Sequence, residues 1–149
     1  MRALLQRTTG ARVLVDGAVV GEIGCGLVVF VGVGPDDDDA TTDALARRIV
    51  ELRIFEDDDG RTNRALGEVP GGAILLVSQF TLFADTRRGR RPGFSAAAPP
   101  DQAERRYERM AAAFRGLGVR VATGRFGASM AVELINDGPF TIWLDSADR

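Results

Sequence analysis

Two kinds of apolar spacing divide this chain. Leu27-Val28-Val29-Phe30-Val31-Gly32-Val33 carries no charged or strongly polar side chain, the mark of a central strand covered on both faces, and Ala73-Ile74-Leu75-Leu76-Val77 reads as a second buried strand. Leu45, Ile49 and Leu52 instead repeat at helical spacing, as do Ala103, Tyr107, Met110, Phe114 and Leu117. Asp39, Thr41 and Thr42 are the candidate N-caps of the first helix. For the second, Pro99-Pro100 announces the start, Asp101 with Glu104 forms a candidate capping box, and Gly116 and Gly118 supply the stop.

Residues 2 to 7 read as a first strand. Arg12 to Val15 and Ala18 to Ile23 flank Asp16-Gly17, a strong two-residue hairpin signal. Arg53 to Glu56 is a short strand ended by a turn over Asp57 to Gly60; residues 119–123, 130–136 and 140–145 are three more strands, the last two alternating as in a half-buried sheet. The order predicts an α+β chain: a largely antiparallel, barrel-like sheet with two main helices, in a single domain over residues 1–149.

Two stretches break these patterns. Ser78-Gln79-Phe80-Thr81-Leu82 follows the buried strand with no turn residue between, and a polar group buried without a partner costs about 1 to 3 kcal/mol, so this strand end needs a reason. Asn136-Asp137-Gly138-Pro139-Phe140-Thr141 separates two strand-like segments and contains a proline, which donates no ladder hydrogen bond. The two stretches are expected to make one site.

Composition narrows the chemistry. The chain has 149 residues, no histidine and one cysteine, Cys25, so no intrachain disulfide, usual zinc cluster or His-based catalytic triad is expected; no metal or cofactor is anticipated. All 19 basic residues are arginine, which removes lysine-based chemistry as well. An EF-hand reading of the Asp57 loop fails, because its sixth position is Thr62 where glycine is required. No apolar run is long enough for a membrane span, and the early charge of Arg2 leaves no signal-peptide core, so a cytoplasmic location is expected.

Net charge is −2, yet Asp36 to Asp39 and Asp57 to Asp59 are acidic runs, while Arg87, Arg88, Arg90 and Arg91 form a basic one. Guanidinium groups suit phosphate, so the basic run is a candidate nucleic-acid contact; a solvated loop is the plainer alternative. At the strand end, Ser78 or Thr81 is a hydroxyl nucleophile candidate, Gln79 an amide, Phe80 an aromatic wall, and the backbone N–H groups face a possible oxyanion. A small esterase acting covalently through Ser78 or Thr81, and a non-catalytic RNA-binding module, are the rival readings.

The chain as a whole resembles the D-aminoacyl-tRNA deacylases. The resemblance rests on Met1-Arg2-Ala3 with Gln6-Arg7, Val15-Asp16-Gly17, Leu52 to Phe55, Ser78 to Leu82, Ala84 to Arg87, Gly89 to Pro92, Phe126-Gly127-Ala128 and Asn136 to Thr141. Departures are Gly93 where the family more often has serine, Phe140 where it more often has valine, and Cys25.

The resemblance implies hydrolysis of the ester of tRNA charged with a D-amino acid, with glycyl-tRNA a further possible substrate, as chiral proofreading in translation. It further implies a homodimer in which a cis Gly138-Pro139 bond enters the partner's pocket, with Asn136 in the same motif, Arg7 holding it, and Phe126 and Met130 near the pocket. With no base to activate Thr81, assistance from the terminal ribose hydroxyl fits better than covalent attack, which leaves Thr81 and Gln79 to position the substrate and Phe80 to offer its N–H.

Overall fold

The computed structural model describes residues 1–87 and 89–148. Its strands are β1 (Arg2–Val15), β2 (Ala18–Ile23), β3 (Gly26–Gly32), β4 (Phe55–Glu56), β5 (Thr62–Arg64), β6 (Ala73–Ser78), β7 (Arg120–Thr123) and β8 (Ala131–Asp145). Its helices are α1 (Asp39–Glu51) and α2 (Pro100–Gly116), with short 3-10 turns at Leu66–Glu68 and Phe80–Phe83. The main sheet runs β2-β1-β3-β6-β7, and β8 lies along the other side of β1. β4 and β5 form a separate small hairpin.

The two segments expected as separate N-terminal strands are one long strand. β1 pairs with β3 over its first half and with β2 over its second, so a single strand serves two neighbours on one side and β8 on the other. The last two expected strands are likewise one, β8, because β1 supplies a continuous template on which both pair. The Asp16-Gly17 hairpin is present, with both residues at positive φ. β1 is antiparallel to β2, β3 and β8, while β3–β6 and β6–β7 are parallel, since α1 and α2 provide the crossovers those pairs need. Gly21 lies against the Thr123 carbonyl, where a Cβ would collide, so β2 curls onto β7 and the sheet nearly closes into a barrel.

β3 and β6 separate two apolar layers by strict alternation. Leu27, Val29, Val31, Ile74 and Leu76 face the helices and pack with Leu45, Ile49, Met110 and Phe114. Val28, Leu75 and Val77 face the barrel interior with Val13 and Ile23. The expectation of strands covered on both faces therefore holds.

Two helix starts differ from expectation. The N-cap of α1 is Asp38, whose carboxylate accepts from Thr41 N at 2.7 Å, one residue before the expected candidates. α2 begins at Pro100 after Pro99, with no side-chain cap; proline suits the first helical position because it has no N–H to satisfy there, and this start puts Asp101 inside the helix, where it cannot be the N-cap of the expected box.

Candidate functional site

β6 ends where the polar string begins. Ser78 still pairs with Val31, Gln79 N donates to the Val31 carbonyl at 2.7 Å, and the chain then turns through Phe80–Phe83. The turn holds itself by Leu82 N donating to Gln79 O at 3.2 Å and Ala84 N donating to Thr81 O at 3.0 Å. The first N–H groups of a helical turn have no acceptor within it. Phe80 N and Thr81 N accordingly have no acceptor among the described residues, which leaves two donors open side by side. Thr81 Oγ1 accepts a hydrogen bond from Gln79 Nε2, and both groups are exposed to solvent.

This string borders a cavity of about 520 Å³. Ser78, Gln79 and Phe80 form one side; Phe126, Met130 and Val132 form another; Phe94, Ala97, Ala98, Pro100 and Ala103 close it. Phe80 and Phe94 meet edge to face, their ring centroids 4.9 Å apart. Tyr107, buried beneath Phe126, donates from its hydroxyl to the Leu76 carbonyl at 3.0 Å, and burial pushes its pKa up to about 12. Phe94 and the Ala97–Ala103 segment were not among the site residues expected from sequence, where Pro99 to Ala103 marked only a helix start. Their only sequence signal was an aromatic residue soon after the Gly89–Pro92 string, whereas small alanines carry none. A trough of about 570 Å³ on α1 is slightly larger, but its walls include the surface groups Asp43, Arg47, Arg48 and Glu51 and none of the expected site residues.

The second stretch is built differently. On β1, Gln6 pairs with Thr141 and Thr8 with Asn136, so Asp137 to Phe140 stand as a four-residue excursion opposite the single residue Arg7. The Gly138-Pro139 bond is cis. Arg7 is buried, and its guanidinium fills the excursion from inside. Nε donates to the Asp137 carbonyl at 3.2 Å and lies 3.1 Å from Asp137 Oδ2, Nη1 donates to the Ile54 carbonyl at 2.8 Å, and the group sits 5.0 Å from the Phe140 ring centroid. Asn136 closes the neck: its amide donates to Thr141 Oγ1 at 2.9 Å and its carbonyl oxygen accepts from Phe140 N at 3.0 Å. Gly138 has φ +124°, and a Cβ there would lie 3.1 Å from Arg7 Nη2 and from Phe140 N.

Within one chain the two stretches are not joined, for none of Asn136 to Thr141 lines the cavity. Phe126 and Met130 do line it, as expected. In the basic run, Arg87 is occupied: its Nε and Nη2 donate to the Asp85 carboxylate at 2.9 and 2.8 Å, which holds that carboxyl well below the usual carboxylate range. Arg90 and Arg91 are exposed, and Arg88 lies outside the described residues. The Asp57 carboxylate is spent on its own turn, accepting from the Asp59 and Arg61 N–H groups. No group of three or more possible metal ligands is assembled among the described residues, and no helix there is long and apolar enough to cross a membrane.

The sequence profile of the D-Tyr-tRNA(Tyr) deacylase family matches residues 4–145. A D-aminoacyl-tRNA deacylase of Dinoroseobacter shibae is 61% identical over 97% of this chain and 99% of its own length; one from Symbiobacterium thermophilum is 56% identical over 98% and 96%. Among solved structures, the c-Myc DNA unwinding element binding protein superposes with TM-score 0.89 at 36% identity, covering 97% of this chain and 98% of that one. A probable eukaryotic D-amino acid tRNA deacylase shares the fold at TM-score 0.83 and 22% identity, covering 96% and 97%. With the profile spanning β1 to β8 and these relatives matched nearly end to end, the chain belongs to the D-Tyr-tRNA(Tyr) deacylase family.

Proposed function

We propose that residues 1–149 form one deacylase domain that hydrolyses the ester bond of D-aminoacyl-tRNA, releasing tRNA and the D-amino acid, and so proofreads chirality in translation. The observation that carries this reading is the pair of open N–H donors at Phe80, which lines an apolar-walled cavity, and at Thr81, the next residue. Attack of water on the ester carbonyl carbon places negative charge on the carbonyl oxygen, and donors without another acceptor stabilise it with no reorganisation. No His or Lys is present to activate Thr81. The vicinal hydroxyl of the terminal ribose therefore orients the water, while Gln79 and Thr81 position the substrate beside Ser78.

The pocket is completed by a second copy. Supporting this are the absence of Gly138 and Pro139 from their own chain's cavity and their place on β8, whose outer edge pairs with no strand among the described residues. Ile135 and Trp143 flank the excursion on β8 at 66% and 47% exposure, apolar side chains left uncovered on either side of it and suited to burial in a two-fold homodimer. Each protomer then presents its Gly138-Pro139 backbone to the partner's cavity, where carbonyl groups accept from the substrate ammonium and leave no space for an L side chain. Arg90 and Arg91 are exposed beside Phe94 and contact tRNA phosphates. Action on charged tRNA places the protein in the cytoplasm.

The test is incubation with matched D-, L- and glycyl-tRNA, with and without a chelator. Turnover of the D-ester and the achiral glycyl ester, with the L-ester spared and the chelator without effect, is the expected result. Equal turnover of the L-ester would overturn the chiral reading, and an acyl-enzyme trapped on Ser78 or Thr81 would select the covalent esterase instead.

A further inference from the structure

Arg2 has no part in the machinery described above, yet it reaches the Phe80–Phe83 turn from behind. Its Nη1 donates to the Leu82 carbonyl at 3.0 Å, and its Nε donates to Asp145 Oδ2 at 3.0 Å. The guanidinium carbon lies 4.4 Å from the Phe83 ring centroid and 5.9 Å from that of Trp143. One planar group thus bonds by its edge to the turn and to β8, and lies against an aromatic ring from each. No residue of the turn is fully buried; it rests on Gly32 of β3, and Arg2 adds a tie to β8.

We infer that Arg2 is a positioning residue, which ties the Phe80–Phe83 turn to β8 and so fixes the open Phe80 and Thr81 N–H groups relative to the cavity that Phe80 borders. Arginine suits the place because its fixed fork donates in two directions while its faces stack. Lysine reaches either the Leu82 carbonyl or Asp145 and stacks less well. Trp143 is the chain's single tryptophan, so its emission reports on this clamp directly. The inference rests on the proposed reaction at that turn.

Wild type, Arg2→Gln, Arg2→Lys and Asp145→Asn are compared by steady-state hydrolysis of D-aminoacyl-tRNA, Trp143 emission and thermal melting, with kinetics run well below every melting temperature. Loss of aim lowers kcat and spares binding, so Arg2→Gln is expected to lose about tenfold in kcat with KM within about twofold, and to shift Trp143 emission. Arg2→Lys recovers part of both. Asp145→Asn keeps the bond to Leu82 and weakens the tie to β8, so its kcat is expected to fall less than that of Arg2→Gln, even where its melting temperature falls as far. Wild-type kcat in folded Arg2→Gln, or kcat losses that track melting temperature equally in Arg2→Gln and Asp145→Asn, would overturn the positioning role alone. Absence of wild-type turnover would overturn the functional reading and this inference with it.

Discussion

The Phe80–Phe83 turn and the Asp137–Phe140 excursion both interrupt a regular ladder, and they are held in opposite ways. The turn has no fully buried residue and leaves Phe80 N and Thr81 N open. The excursion is filled by a buried arginine and closed at its neck by Asn136. Donors meant for a developing oxyanion must have no competing acceptor. Under the proposed function, a backbone that rejects one enantiomer must not yield when the wrong side chain arrives, which calls for fixed contacts behind its exposed surface. The same chain therefore spends its hydrogen bonds at one break and withholds them at the other.

The sharpest way to break this contrast is Gly138→Ala. The added methyl meets Arg7 Nη2 and the Phe140 backbone at a φ that side chains rarely adopt, so the excursion must move. Displacement of about 1 Å at a substrate-facing backbone costs on the order of 100-fold in turnover, and single-turnover hydrolysis of D-aminoacyl-tRNA is expected to show that loss in a variant with normal circular dichroism. Arg7→Gln comes next. It removes the donor to the Ile54 carbonyl and the partner of Asp137, so urea unfolding should show a loss of about 1–3 kcal/mol, together with reduced selectivity for the D-ester.

Thr81→Ala tests the open side of the contrast and has a smaller effect. The hydroxyl makes one neutral hydrogen bond with Gln79, worth up to about 1.5 kcal/mol, so turnover should fall by no more than about tenfold and not vanish. An inactive folded variant, together with an ester trapped at Thr81 in the wild type, would make Thr81 the nucleophile and not a positioning group.

The smallest effect at neutral pH concerns Tyr107 beneath the cavity. Its folded pKa is raised by burial from 10.0 to about 12, so the folded state keeps its proton where the unfolded state releases it. Its stabilisation is complete below pH 10 and is lost as pH rises toward 12, by roughly 2–3 kcal/mol. Tyr107 is the chain's one tyrosine, so tyrosinate absorbance and urea midpoints from pH 9 upward check this directly, and Tyr107→Phe should flatten that part of the profile.

Much of this architecture was written in local patterns. The apolar run through β3, the helical spacing at Leu45 and Ile49 and at Tyr107, Met110 and Phe114, and the Asp16-Gly17 turn each bury or bend in a way that nearest neighbours dictate. The polar string after β6 and the Gly-Pro interruption of β8 were legible as anomalies for the same reason. Phe126 and Met130 entered through family likeness, and Phe94 was missed, because a residue becomes a cavity wall only through what stands opposite it.

Residue types and their spacing thus settled the two helices and most of the strands, though not β5, and the absence of His and Lys settled which chemistries were open. Tertiary structure alone decided that two N-terminal segments fuse into β1, since continuity depends on β3, β2 and β8 being there to pair with it. It also decided that Asp137 to Phe140 bulge opposite Arg7, because register is a relation between strands far apart in the chain. Arg87 shows the same limit on a smaller scale: its charge is plain from the sequence, but whether that charge is free for a phosphate depends on Asp85 having turned to meet it.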